Sequence, residues 1–150
     1  MAKPIILINV EGEIQQTIHT ADPMAYPIGE QVNGMECMFA PDEIKDDLHL
    51  ASKTKWLDNG VWKTRTAKPG SYYRWIGGEW VLDKPALVAE LKAMRIERLR
   101  AVDWTQLPDV TITPAEISAW RTYRQELRDL PSLYPNITHI DEVVWPTPPL

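Results

Sequence analysis

At Asp83 the hydrophobic period of this 150-residue chain changes from two residues to 3.6, which separates what can pair as strands from what can coil as helix. Before that point, apolar residues alternate around tight turns. Asn59-Gly60 lies between Trp56-Leu57-Asp58 and Val61-Trp62-Lys63. Both turn residues reach positive φ at little steric cost, so the spacing predicts a two-residue hairpin with Leu57 opposite Trp62. Gly77-Gly78 turns a second hairpin, placing Trp75 opposite Trp80 and Tyr73 opposite Leu82 and making one face an aromatic ladder. Near the start, the β-branched run Pro4–Val10 passes through Glu11-Gly12 into a return strand, Glu13–Ile18. Pro23, Pro27 and Gly29 make residues 21–30 a loop. Met35–Phe39 reads as a short strand, and Pro41-Asp42-Glu43-Ile44 as a first helical turn with Ile44 and Leu48 on one face. Residues 1–83 are therefore expected to form an antiparallel sheet of hairpins.

Beyond Asp83 the signals are helical. Asp83 is an N-cap with Pro85 just behind it, and Leu87, Leu91, Met94 and Val102, flanked by Val88 and Leu99, form a buried stripe ending near Asp103-Trp104. Thr113-Pro114-Ala115-Glu116 spells a capping box with proline at the first helical position. The helix it opens carries Ile117, Trp120, Tyr123 or Arg124, and Leu127 along its apolar stripe and is expected to end before Pro131. Two such helices joined by about ten residues make an αα-hairpin, with Trp104 and Trp120 wedged at its seam. The prolines of Val143–Leu150 rule out helix and favour an extended, polyproline-like tail anchored by Trp145. The fold class read from the chain is thus α+β: an N-terminal antiparallel β-hairpin sheet over 1–83, then a C-terminal two-helix hairpin and extended proline-rich tail over 84–150.

Composition narrows the function. The net charge is −5, and residues 84–128, the most basic stretch, hold eight basic side chains against six acidic. Nucleic-acid binding needs a strong cationic footprint to neutralise phosphates, so no nucleic-acid partner is expected. Cys37 is the single cysteine, which excludes an intrachain disulfide framework and favours a reducing compartment. The apolar run Pro4–Val10 is too short to span a bilayer and lacks a cleavage pattern, so no membrane role is expected. Seven tryptophans against one phenylalanine point to packing on a few large aromatic anchors.

Residues for chemistry are scattered. His19, His49 and His139 sit at no metal-ligand spacing to one another or to Cys37. Asp42-Glu43 and Asp46-Asp47 read as a solvated face or helix-start charges. Ser52, Ser71, Ser118 and Ser132 lack a nucleophile-elbow context, and no phosphate-binding loop or dinucleotide fingerprint occurs. No enzyme, cofactor or metal is expected. Trp56, Trp62, Trp75 and Trp80 are candidate protein-binding residues, as is Trp145; their sheet face is core, protein interface or, as in carbohydrate-binding modules, a platform for sugar rings. Arg95, Arg98, Arg121, Arg124 and Arg128 lie near Glu97, Asp103, Glu126 and Asp129, which favours pairing within the chain.

Taken in order, Arg98-Leu99, Asp103-Trp104-Thr105-Gln106-Leu107-Pro108-Asp109-Val110, Trp120-Arg121, Tyr123-Arg124-Gln125, Leu127-Arg128-Asp129-Leu130-Pro131 and Val144-Trp145-Pro146-Thr147-Pro148-Pro149 resemble the phage tail assembly chaperone family over about residues 84–149. Residues 132–142 depart from it, being longer than the expected turn and free of glycine. The resemblance implies a non-enzymatic bacteriophage protein that helps a tail or tail-fibre protein fold and assemble in the host cytoplasm. A homo-oligomer matching a trimeric fibre is an allowed assembly. Asp103, Trp104, Trp120, Tyr123, Arg124, Arg128 and Asp129 would hold the helical unit together. Two other roles fit the same residues: a structural subunit retained in the virion's fibre or baseplate, and a glycan-binding module for host attachment.

Overall fold

Ile5–Ile8 (β1) is buried on both faces, which makes it the centre of a sheet rather than one arm of an isolated hairpin. A computed structural model describes residues 3–149. The chain divides into two units, Met1–Val81 and Leu82–Leu150.

In the first unit β1 pairs antiparallel with β2 (Ile14–Ile18) on one side and with β4 (Met35–Phe39) on the other. β4 then pairs with the two-residue β3 (Gln31–Val32), giving the order β2-β1-β4-β3. Alternation sends Ile6 and Ile8 to a cluster with Ile14, Ala40, Ile44, Leu48 and Ala51, and Ile5 and Leu7 to the opposite face with Cys37. The first cluster is closed by α1 (Leu48–Thr54), whose N-cap Asp47 accepts a hydrogen bond from the Leu50 amide at 2.8 Å. Tyr26 and Ile28 from the 21–30 loop pack on the second, and a 3-10 turn occupies Pro23–Ala25 in that loop.

The expected β1–β2 hairpin and the 35–39 strand are present, but the unit is not one sheet of hairpins. β5 (Lys55–Asp58) with β6 (Val61–Thr64), and β7 (Tyr73–Ile76) with β8 (Glu79–Leu82), form separate two-stranded sheets. The turn at Asn59-Gly60 has φ of 48° and 82°, and Leu57 pairs with Trp62 as the spacing predicts. The helical turn expected at 41–44 is present only as main-chain bonds from Ile44 and Lys45 to the Pro41 carbonyl. The helix itself starts later, at Leu48, where Asp47 caps it.

In the second unit α2 spans Lys84–Ala101 behind the Asp83 cap, and α3 spans Pro114–Leu133 behind a complete Thr113–Glu116 capping box. The two helices pack together. Short 3-10 turns follow them at Asp103–Gln106 and Ile140–Glu142. One expectation fails: α3 does not stop before Pro131 but carries it inside its last turn. Proline forfeits one intrahelical bond there, and continuing the helix keeps Leu130, 2% exposed, in line with Leu127 on the buried stripe. Residues 143–149 form no regular element.

Candidate protein-binding surfaces

In the first unit the tryptophans divide by strand alternation. Leu57 and Trp62 share the β5–β6 face that packs on the Ile6 cluster, whereas Trp56 and its partner Lys63 lie on the other. Trp62 is thereby separated from the other three, so the four tryptophans do not share one face. Trp56 meets Trp75 edge-on at 5.3 Å between centroids, and Trp75 meets Trp80 at 5.1 Å. Trp75 is buried, while Trp56 and Trp80 are half-buried.

Arg65, immediately after β6, organises this cluster. Its guanidinium carbon lies 5.4 Å from the Trp75 centroid and 5.0 Å from that of Trp80. Nε donates to the Lys53 carbonyl at 3.2 Å, Nη2 donates to the Ser52 carbonyl at 2.7 Å, and Nη1 pairs with Glu13 beside β2. One buried cation therefore satisfies carbonyls at the C-terminal end of α1 and ties the tryptophans to the main sheet. Trp80 Nε1 donates to the Thr66 carbonyl at 2.9 Å; Trp75 Nε1 is buried without a hydrogen-bond partner. Sequence reasoning passed over Arg65. The available signal was a cation set between two tryptophan hairpins.

An open hollow of about 470 Å³ lies over the cluster, lined by Trp56, Lys63, Arg65, Trp75, Glu79 and Trp80 among others. Lys63 Nζ stands 5.9 Å from the Trp56 centroid and Lys68 Nζ 6.0 Å from that of Trp80. Lys63 is also paired with Asp58, and a sugar ring stacking here would compete with the protein's own cations.

In the second unit the motif residues meet one another. Arg124 of α3 donates from Nη1 to Asp103 Oδ1 at 2.8 Å and to the Leu99 carbonyl at 3.1 Å, so it ties α3 to the C-terminal turn of α2 and to the 3-10 turn after it. Trp120 contacts Trp104 at 5.7 Å and Tyr123 at 5.9 Å, both edge-on. It packs with Val102, Tyr123 and Leu127, as does Trp145 from the chain's last stretch. The Arg98 guanidinium stacks over Trp145. Arg128 and Asp129 lie apart from this cluster: Arg128 Nη1 donates to Gln125 Oε1 at 3.3 Å, and Asp129 Oδ1 accepts from Gln125 Nε2 at 2.9 Å. Trp104 is 44% exposed, so it borders the seam rather than filling it.

The titratable groups are dispersed. Hydrogen bonds from Thr113 hold the Glu116 carboxyl below its ordinary range, and bonds from Thr138 do the same for Glu142. A bond from Lys45 lowers Asp42, and burial pushes the Cys37 thiol up. Each shift has a local cause. Among the described residues no cluster of His, Cys, Asp or Glu could hold a metal ion, and no helix is long and apolar enough to cross a membrane.

The Asp103, Trp120, Arg124 and Trp145 cluster lies in the stretch that resembles a protein family. Residues 88–150 match the family model of the phage tail assembly chaperone protein. The matched region begins inside α2 and takes in the Arg124–Asp103 tie, α3 and the Trp145 anchor. It agrees with the resemblance read from the tryptophan, arginine and aspartate blocks, and it supports a general role in phage tail assembly. The β1–β8 strands lie outside the matched residues. No curated protein and no solved structure matches the chain.

Proposed function

We propose that this chain is a non-enzymatic chaperone that binds a bacteriophage tail-fibre or tail protein in the host cytoplasm and holds it ready for assembly. The match of residues 88–150 to the tail assembly chaperone family carries this reading. A fibre subunit exposes apolar and edge-strand surface until it assembles, and a partner that binds this state raises its population by mass action. In this reading the helical unit is the family's common body. The rims of Trp56 and Trp80, positioned by Trp75 and Arg65, meet the client; Trp62 and Trp145 act through packing within their own units.

Co-expression with the neighbouring fibre gene tests the proposal. The fibre should become more soluble and more fully assembled when this chain is present, and the two should co-purify before assembly is complete. A fibre equally soluble and assembled without the chain, with no complex recovered, would overturn it. Mass spectrometry of purified particles separates a departing chaperone, absent from them, from a retained subunit present at fibre-like stoichiometry.

A further inference from the structure

The outer edge of β2 carries the sequence Ile14-Gln15-Gln16-Thr17-Ile18, with no charge, proline or glycine in a chain that is 25% charged. Natural edge strands are usually blunted by such residues, because an unpaired row of N–H and C=O groups recruits other strands. The direction of this edge follows from the ladder. The Ala40 amide donates to the Pro4 carbonyl, so by alternation the main chains of Ile6 and Ile8 face β4 and those of Ile5 and Leu7 face β2. Their partners Ile18 and Gln16 therefore face β1, and the N–H and C=O of Thr17 between them point away from the sheet. At the near end, the Leu57 amide already takes the outward Gly12 carbonyl at 2.8 Å. From Gln15 onward no main-chain bond to another element continues that pairing among the described residues. Gln15, Gln16 and Thr17 are all exposed.

Two hollows flank the same edge. One, about 420 Å³, lies between β2 and α1 and is lined by polar groups including His19, Lys45, Asp46 and His49. The other, about 530 Å³, lies on the opposite sheet face, lined by Tyr26, Pro27, Val32 and Met35 among others. Gln16, Thr17 and His19 border both. An added strand sends successive side chains to opposite faces, so it would place alternate residues in a polar and an apolar hollow.

We propose that the β2 edge is a strand-addition site that takes one extended, alternately polar and apolar segment of another polypeptide, with the main chain of Thr17 as its central hydrogen-bonding point. A second copy of this chain fits less well. Its own Ile14 and Ile18 are committed to the clusters on either side of its sheet, leaving no apolar side chain to enter the Tyr26–Met35 hollow. The choice of a foreign polypeptide rests on the assembly reading above; the geometry of the edge does not.

The test is to pan the whole chain against a displayed library of random nonapeptides and measure the enriched peptides on wild type, Thr17→Pro and Thr17→Lys. Proline removes the outward amide at an edge position where the fold tolerates it, and lysine keeps the amide while adding an edge charge. Enriched peptides should alternate polar and apolar residues and bind Thr17→Pro about tenfold more weakly or worse. In wild type, the Thr17 amide should exchange quickly with solvent when free and slowly when peptide is bound, while the Gln16 and Ile18 amides are protected in both states. Peptides that bind both variants as well as wild type, or that leave Thr17 exchange unchanged, would overturn the proposal, as would self-association of wild type that Thr17→Pro abolishes with no peptide enriched. The two readings fail separately. Fibre co-purifying equally with Thr17→Pro removes the edge site and leaves the chaperone role, whereas peptide binding at Thr17 without any fibre complex does the reverse.

Discussion

The Arg98 guanidinium lies 3.7 Å from the centroid of the Trp145 ring, so Trp145 is held by the last turn of α2. Arg98 is itself fixed by an Nη1 bond to the Met94 carbonyl at 3.1 Å, and Trp145 also packs on the Val102, Tyr123 and Leu127 cluster. Trp145 thus contributes to the body of the helical unit.

Trp145→Ala should accordingly lower the stability of the second unit by about 2 kcal/mol, combining lost apolar burial with a lost cation–π contact. Chemical denaturation followed by far-UV circular dichroism measures this. An unchanged midpoint would mean that the tail does not pack on the helices in solution.

Arg65→Ala should be the most damaging single change in the first unit. It takes the guanidinium from Glu13, which keeps its Asn9 and Gln15 side-chain bonds, and leaves two carbonyls near the end of α1 without their donor; losing one partner of a largely buried pair of this kind costs about 3 kcal/mol. Arg65→Lys should recover little of this, because an ammonium cannot spread its donors across the same fork while stacking on two indoles. Full recovery by lysine, read from urea midpoints, would reduce Arg65 to a point charge.

Gly12→Ala should destabilise the first unit for two separate reasons. Gly12 has φ of +77°, which costs an L-residue about 1–2 kcal/mol, and a Cβ there would come within 2.0 Å of the Leu57 carbonyl oxygen. Gly34→Ala is the control, since its φ is similarly positive at +78° but nothing lies within 4 Å of its Cβ position. Thermal melting should rank Gly12→Ala clearly below Gly34→Ala; equal losses would show that the close approach to Leu57 is absent.

The α3 capping box makes a pH-dependent contribution of known sign. Glu116 is held below its ordinary value of 4.5 by hydrogen bonds from Thr113. A carboxylate with a lowered folded-state pKa stabilises the fold fully above its unfolded pKa and loses that contribution as pH falls through the folded value. The stability gap between wild type and Glu116→Gln should therefore be widest near neutrality and close progressively below pH 4.5. A gap that stays constant down to pH 3 would show that the ionised form is not what caps the helix.

How far these features were readable in the residues depended on the range of the physics behind them. Local signals were sufficient for the Asn59-Gly60 turn, the Asp83 cap and the Thr113–Glu116 box, because each is decided within four residues. The turn at Asn33-Gly34, with φ of 53° and 78°, carries the same signal and was passed over because the strand before it, Gln31–Val32, is too short to show alternation. Helix α1 is only seven residues long, and its Asp47 cap is one of several carboxylates in an acidic run, so neither period nor cap stood out. Pro131 misled because a local rule was overridden by packing of Leu127 and Leu130. Arg65 was invisible for a different reason: its partner Glu13 lies 52 positions away, and only the tertiary fold brings them together.

The Leu57–Gly12 bond also bears on how the first unit comes apart. Strand pairing alone divides it into a four-stranded sheet and two independent ribbons, but that bond and the Arg65 anchorage cross the division. The β5–β6 ribbon cannot peel off without unseating the β1–β2 turn, so the two should open to solvent in one cooperative event. Amides at Ile6 and Leu57 would then share a single opening free energy, and the division drawn by strand pairing would not be the seam along which the first unit breathes.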